Sequence, residues 1–142
     1  KIFAVYTRVD LTKKPEWFDS FRKKYDDAFE LHSTLIQPRF VDESQCGDTR
    51  QKIESVLEGH TPAHVEDKKV IFDKRIVEKE SDGSFIFMLA AQENNFLLTL
   101  QKALRETLTG YGQYCEPTSR EYEANFKPHI TIGSNMNTNA KT

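Results

Sequence analysis

The chain has 142 residues, 37% hydrophobic and 30% charged, with a formal net charge of −2, which suits one folded domain with a proper core. No apolar run approaches the ~18 residues that cross a bilayer. The slight acidic excess argues against a broad nonspecific polynucleotide surface, which needs a clear basic excess, but leaves room for a small nucleotide or a single RNA end.

The opening run, Lys1-Ile2-Phe3-Ala4-Val5-Tyr6, lacks the long apolar stretch and cleavage site of a signal peptide. Residues 2–9 are rich in β-branched and aromatic types and predict a strand. A leader removed before Lys1 stays open, because the sequence does not begin with Met. Phe18, Phe21, Tyr25 and Ala28 then recur at steps of three and four behind Pro15, which predicts an amphipathic helix over 15–29. Residues 31–41 return to strand, with Pro38 pointing to an edge position or the strand's end. Asp48 or Thr49 is expected to cap a short helix with the apolar face Ile53, Val56 and Leu57, ending near Gly59. A hairpin of residues 68–79 and 84–91 follows, turning at Ser81-Asp82-Gly83. Its second arm is apolar on both faces and should be central in a sheet. Leu97, Leu100, Leu104 and Leu108 mark the strongest helix, 94–109, with Gly110 beyond its end. Residues 111–127 are turn-rich and give no clear pattern. Residues 128–134 predict the last strand, and the Asn-rich tail should fray. Each half of the chain holds strands and a helix, so the expected fold is α+β: two pseudo-symmetric lobes of antiparallel sheet with outer helices around a central cleft, forming a single domain over 1–142.

Two of the predicted strands carry the same short string: His32-Ser33-Thr34-Leu35 and His129-Ile130-Thr131-Ile132. In a strand, residues i and i+2 share a face about 7 Å apart, so each string presents an imidazole beside a hydroxyl. Ser and Thr are common here, and the bare spacing is weakly specific. Context separates the pairs: His60 and His64 are followed at the same offset by Pro62 and Glu66, lie in a predicted loop, and read as surface residues. Two facing His-x-Thr pairs supply two proton-transfer groups and two hydrogen-bond donors. That set can break a phosphodiester without a metal, one histidine deprotonating the nucleophile while the other protonates the leaving oxygen.

With these motifs the chain resembles the 2H phosphoesterase superfamily, also called the 2′-5′ RNA ligase-like or cyclic phosphodiesterase family. The likeness extends to the first strand Ile2-Phe3-Ala4-Val5, the hairpin, the long helix before the second motif, and Phe126-Lys127-Pro128 leading into it. The resemblance implies metal-independent hydrolysis or transesterification of 2′,3′-cyclic phosphates or 2′-5′ linkages in nucleotides or RNA ends. It casts His32 and His129 as the acid–base pair, in either order, and Thr34 and Thr131 as donors to phosphoryl oxygens. It implies no cofactor, no membrane partner, a cytoplasmic monomer, and a nucleotide or RNA end as ligand. Many relatives place a basic residue shortly after the second motif, where this chain has Gly133-Ser134-Asn135, and many continue into further strand or helix.

Beyond the motifs, Lys127 and Arg39 are candidates to attract phosphate, and Tyr6 and Tyr122 to contact a base. Phe3, Tyr111 and Tyr114 are weaker stacking candidates, with core packing the simpler account of Phe3. Cys46 and Cys115 show neither CxxC spacing nor a paired histidine motif, which disfavours zinc and suits two thiols in a reducing cytoplasm. Two rival readings follow: a noncatalytic nucleotide- or RNA-binding module on the same fold, and a metal protein built on the four histidines, which lacks ligand spacing.

Overall fold

A computed structural model describes residues 1–25, 30–80, 82–93 and 95–134. It contains two antiparallel sheets. The first pairs β1 (Ile2–Arg8) with β2 (His32–Phe40), and the second runs in the order β3 (Phe72–Lys79), β4 (Phe85–Ala91), β5 (His129–Ser134). β4 is central, as its two apolar faces required: Met88, Leu89 and Ala90 are all buried. The hairpin joining β3 to β4 turns with Gly83 at φ +89°, a value that favours glycine. Asp82 braces the turn by accepting from the Ser84 backbone N–H at 2.9 Å.

Among the described residues, four α-helices accompany the sheets. The first, α1 (Phe18–Lys24), is shorter than its predicted span, and the end of that span, including Ala28, lies outside the described residues. The second, α2 (Cys46–His60), begins before the expected caps. Asp48 and Thr49 sit inside it, and the Thr49 hydroxyl donates back to the Gln45 carbonyl at 2.9 Å. A single-turn 3-10 helix, Glu43–Gln45, leads into α2 and supplies the start that a side-chain cap was expected to provide. The third, α3 (Phe96–Thr107), opens where Asn95 Oδ1 accepts from the Leu97 N–H at 3.0 Å, an N-cap bond that fixes the first turn. The fourth, α4 (Thr118–Ala124), lies in the stretch that gave no sequence pattern. Residues 65–68, expected to lead into a strand from residue 68, form a 3-10 turn instead, and β3 starts only at Phe72.

The sequence halves are not the spatial lobes. α1 lies between β1 and β2 in the chain, yet Phe18 packs on Leu89, Ile130 and Ile132 of the other sheet. α3 lies between β4 and β5, yet Leu97, Leu100 and Leu104 pack with Val5, Leu35 and Ile36 of the β1–β2 sheet. α1 and α3 thus each cross to the sheet of the opposite half, and α2 joins α3 over the β1–β2 sheet through Val56, Ile53 and Leu57. Phe72 touches both clusters and joins them.

The α1 contact explains the residues after the second motif. Ser134 N donates to the Tyr25 carbonyl at 3.0 Å, drawing the end of β5 against the end of α1. A Cβ at Gly133 would lie 2.8 Å from both Cβ and the carbonyl oxygen of Tyr25. Position 133 is glycine because no side chain fits there.

Candidate active site

Strand pleating sets which face each motif residue takes. On β2, Ser33 and Leu35 are buried while His32 and Thr34 are half-buried. On β5, Ile130 and Ile132 are buried while His129 and Thr131 are half-buried. In both strands the apolar partners anchor in a core, so the imidazole and hydroxyl turn to the other side together. β2 and β5 belong to different sheets but run close beside each other.

The two histidines are held in the same way. His32 Nδ1 lies 3.1 Å from the Glu30 carbonyl oxygen, and His129 Nδ1 lies 3.1 Å from the Lys127 carbonyl oxygen. A carbonyl brings no proton, so Nδ1 must donate in each bond. The neutral ring then keeps its lone pair on Nε2, on the far side from the strand's own backbone. Each bond fixes both tautomer and ring orientation, at the same offset of two residues. The Glu30 carboxylate is separately engaged by Arg8 at 2.7 Å, directly across the sheet from His32.

Tyr122, on α4, touches both motifs. Its hydroxyl donates to the Thr34 carbonyl at 2.9 Å, and its ring meets the His129 ring edge-on with centroids 5.8 Å apart. Burial, and after it the negative charge of Glu123, pushes this hydroxyl up to about 12, so it stays a proton donor at any physiological pH. Tyr6, opposite Thr34 in the β1–β2 register, makes the matching contact on the other side, 5.2 Å from the His32 ring. An aromatic ring therefore abuts each imidazole.

The remaining candidates fall elsewhere. Arg39, expected to attract phosphate, is only 4% exposed. Its guanidinium donates to the Glu123 carboxylate and to the Leu108 carbonyl. Beyond Leu35 the strand is bulged, which turns Arg39 into the interior rather than out to solvent. Lys127 is exposed, and its carbonyl rather than its ammonium contacts the motif. Phe3 and Tyr111 pack edge-to-face at 5.4 Å against the first core. His60 and His64 are exposed.

Sequence reasoning missed Glu123. It is 2% exposed and accepts from Arg39, from Gln37 N at 2.9 Å and from Gln113 Nε2 at 3.1 Å. Gln101 Nε2 of α3 donates to its backbone carbonyl at 3.1 Å. These bonds lock α4 to β2 and thereby seat Tyr122. The only sequence signal was Pro117 ahead of Thr118, a pairing that suits a helix start. Among the described residues, no group of three or more His, Cys, Asp or Glu side chains is placed to hold a metal ion, and no helix is long and apolar enough to cross a membrane.

Residues 10–141 match the family model of the 2′-5′ RNA ligase superfamily. Among solved structures, the chain is similar to that of Kluyveromyces marxianus Usb1 with uridine monophosphate, at 15% identity and a TM-score of 0.53, over 94% of this chain and 69% of that one. A likeness at that identity speaks to the fold. No curated protein matches the chain in sequence.

Proposed function

The chain belongs to the 2′-5′ RNA ligase superfamily, the 2H phosphoesterases, and from that premise we propose that it is a metal-independent phosphodiesterase of 2′,3′-cyclic phosphates or 2′-5′ linkages at nucleotide or RNA ends. The observation that carries this reading is the pair of mirrored Nδ1 bonds, from His32 to the Glu30 carbonyl and from His129 to the Lys127 carbonyl. Each leaves an Nε2 available for proton transfer. A protein that only bound nucleotides would need neither.

On a 2′,3′-cyclic phosphate, one neutral imidazole takes a proton from water as the water oxygen bonds to phosphorus. The other, entering as imidazolium, gives its proton to the ribose oxygen that leaves. The product is a 2′- or 3′-monophosphate, and the pair ends with its charges exchanged. Thr34 and Thr131 donate to the nonbridging oxygens, where negative charge builds in the transition state. Among the described residues, neither hydroxyl is engaged by another protein group, which leaves both for substrate. Tyr122 acts on the backbone of Thr34 and the ring of His129, and keeps the two pairs in register with each other. The uridine monophosphate in the Usb1 structure supports a nucleotide as the ligand.

The test is turnover of 2′,3′-cyclic nucleotides and of cyclic-phosphate-ended RNA, with and without EDTA. Activity should be bell-shaped in pH, with limbs that belong to the coupled pair, and should survive chelation. His32→Ala and His129→Ala should each lower kcat by about 10²-fold or more, and the double variant by much less than the product of the two. Thr34→Ala and Thr131→Ala should be milder. Loss in EDTA restored by zinc or manganese would favour a metal enzyme. Folded histidine variants with native turnover would refute the assignment.

A further inference from the structure

The outward face of the β1–β2 sheet continues well past the histidine. Paired residues in a sheet share a face, and Arg8 pairs with His32, Tyr6 with Thr34, and Ile2 with Phe40. Tyr6, Ile2 and Phe40 are 61%, 50% and 52% exposed, a run of large apolar groups that a soluble domain normally covers. Two adjoining depressions follow it. One, of about 570 Å³, runs along the free edge of β1 from Tyr6 to Lys1 against the first turns of α2, where Arg50 borders it. The other, of about 460 Å³, shares Lys1 and Val41 with the first and is floored by Phe40 and Tyr111, with Lys52 at its rim. Lys52 Nζ stands 5.6 Å over the Tyr111 ring.

We infer that this furrow receives the single-stranded RNA upstream of the terminal phosphate, so the preferred substrate is an oligoribonucleotide rather than a mononucleotide. The inference rests on the function proposed above. Three features select RNA over other occupants. The furrow begins at Tyr6, whose ring already abuts His32, so it is continuous with the place where the terminal phosphate would be cleaved. Tyr6, Phe40 and Tyr111 supply it with flat rings, which stack on any base. Its walls carry the cations Arg50 and Lys52, with Lys1 between them paired to Glu43 at 3.2 Å, and Asp42 and Glu54 also line it, so it offers local positive charge rather than a broad basic surface. From Tyr6 to Ile2 the strand spans about 13 Å, which bases stacked at about 3.4 Å cover with roughly four nucleotides.

The experiment compares uridine 2′,3′-cyclic phosphate with a tetraribonucleotide ending in the same group, and measures binding of a fluorescent tetraribonucleotide 3′-phosphate by anisotropy. The wild type should show a lower KM for the tetranucleotide. Phe40→Ala should erase about tenfold of that advantage, the scale of one lost stacked base. Lys52→Ala should flatten the salt dependence of tetranucleotide binding. Equal KM values for the two substrates, or an unchanged ratio in both variants, would overturn the inference. So would a change of oligomeric state in Phe40→Ala without a change in affinity, since the face would then serve a second copy of the chain. If neither substrate turns over but the tetranucleotide binds and Phe40→Ala weakens it, the furrow stands and the catalytic reading falls.

Discussion

Replacing Glu123 by Ala tests whether the buried carboxylate holds α4 against β2. The change removes an acceptor shared by Arg39, the Gln37 backbone N–H and Gln113 Nε2. Arg39, 4% exposed, would keep only the Leu108 carbonyl, and its Nε already lacks a partner. Breaking one side of a buried ion pair costs about 3–5 kcal/mol, because a charge is left without compensation. For a chain of this size each kcal/mol lowers Tm by about 2–4 °C, so the variant should melt on the order of 10 °C lower. Removing both charges, as Arg39→Leu with Glu123→Leu, should recover much of that loss, since apolar replacements of buried pairs are often near neutral. Recovery should be incomplete, because the Gln37 N–H stays unsatisfied at about 1–3 kcal/mol. Circular-dichroism melts of the wild type, both singles and the double give the coupling directly. A single Ala variant melting within 2 °C of wild type, or a double variant whose loss equals the sum of the singles, would refute this account.

Two other changes probe the site's supports. The Tyr122 hydroxyl, pushed up to about 12 against about 10 in an unfolded chain, holds its proton more tightly when folded. Its contribution to stability is complete below pH 10 and is lost as pH rises from 10 through 12. Tyr122→Phe should remove that part of the alkaline decline, read from urea midpoints at stepped pH. Gly133→Ala places a methyl 2.8 Å from the Tyr25 carbonyl oxygen, a backbone atom that cannot rotate aside. It should cost about 1–3 kcal/mol and speed hydrogen exchange at Ser134, whose N–H bonds that same carbonyl.

The local patterns were legible in the sequence, and the long-range partners were not. An unbroken apolar run marked β4 as central, and the two-residue period of strand pleating set His32 and Thr34 on one face. The leucine series marked α3 for a similar reason. α4 has seven residues and no apolar stripe, and its buried face is Ser119 and Glu123. Glu123 is satisfied by Arg39, 84 positions earlier. Each of those residues alone reads as a solvated charge, so the sequence offers Arg39 as a phosphate ligand and gives no sign of Glu123's role. The residue type of Tyr122 points only to a base contact. Its hydroxyl bond to Thr34 and ring contact with His129 depend on where α4 docks, which no local window reveals.

The exchange of helices between sheets has a bearing on how such a molecule can change. If the chain were divided after β3, one piece would keep β1 and β2 but lose α3, and the other would keep β4 and β5 but lose α1. The first piece would leave Leu35 and Ile36 without the α3 leucines, and the second would leave Ile130 and Ile132 without Phe18, so each half depends on the other to complete its core. Each histidine strand is therefore backed by a helix from the far half of the sequence, Leu35 by α3, and Ile130 and Ile132 by α1.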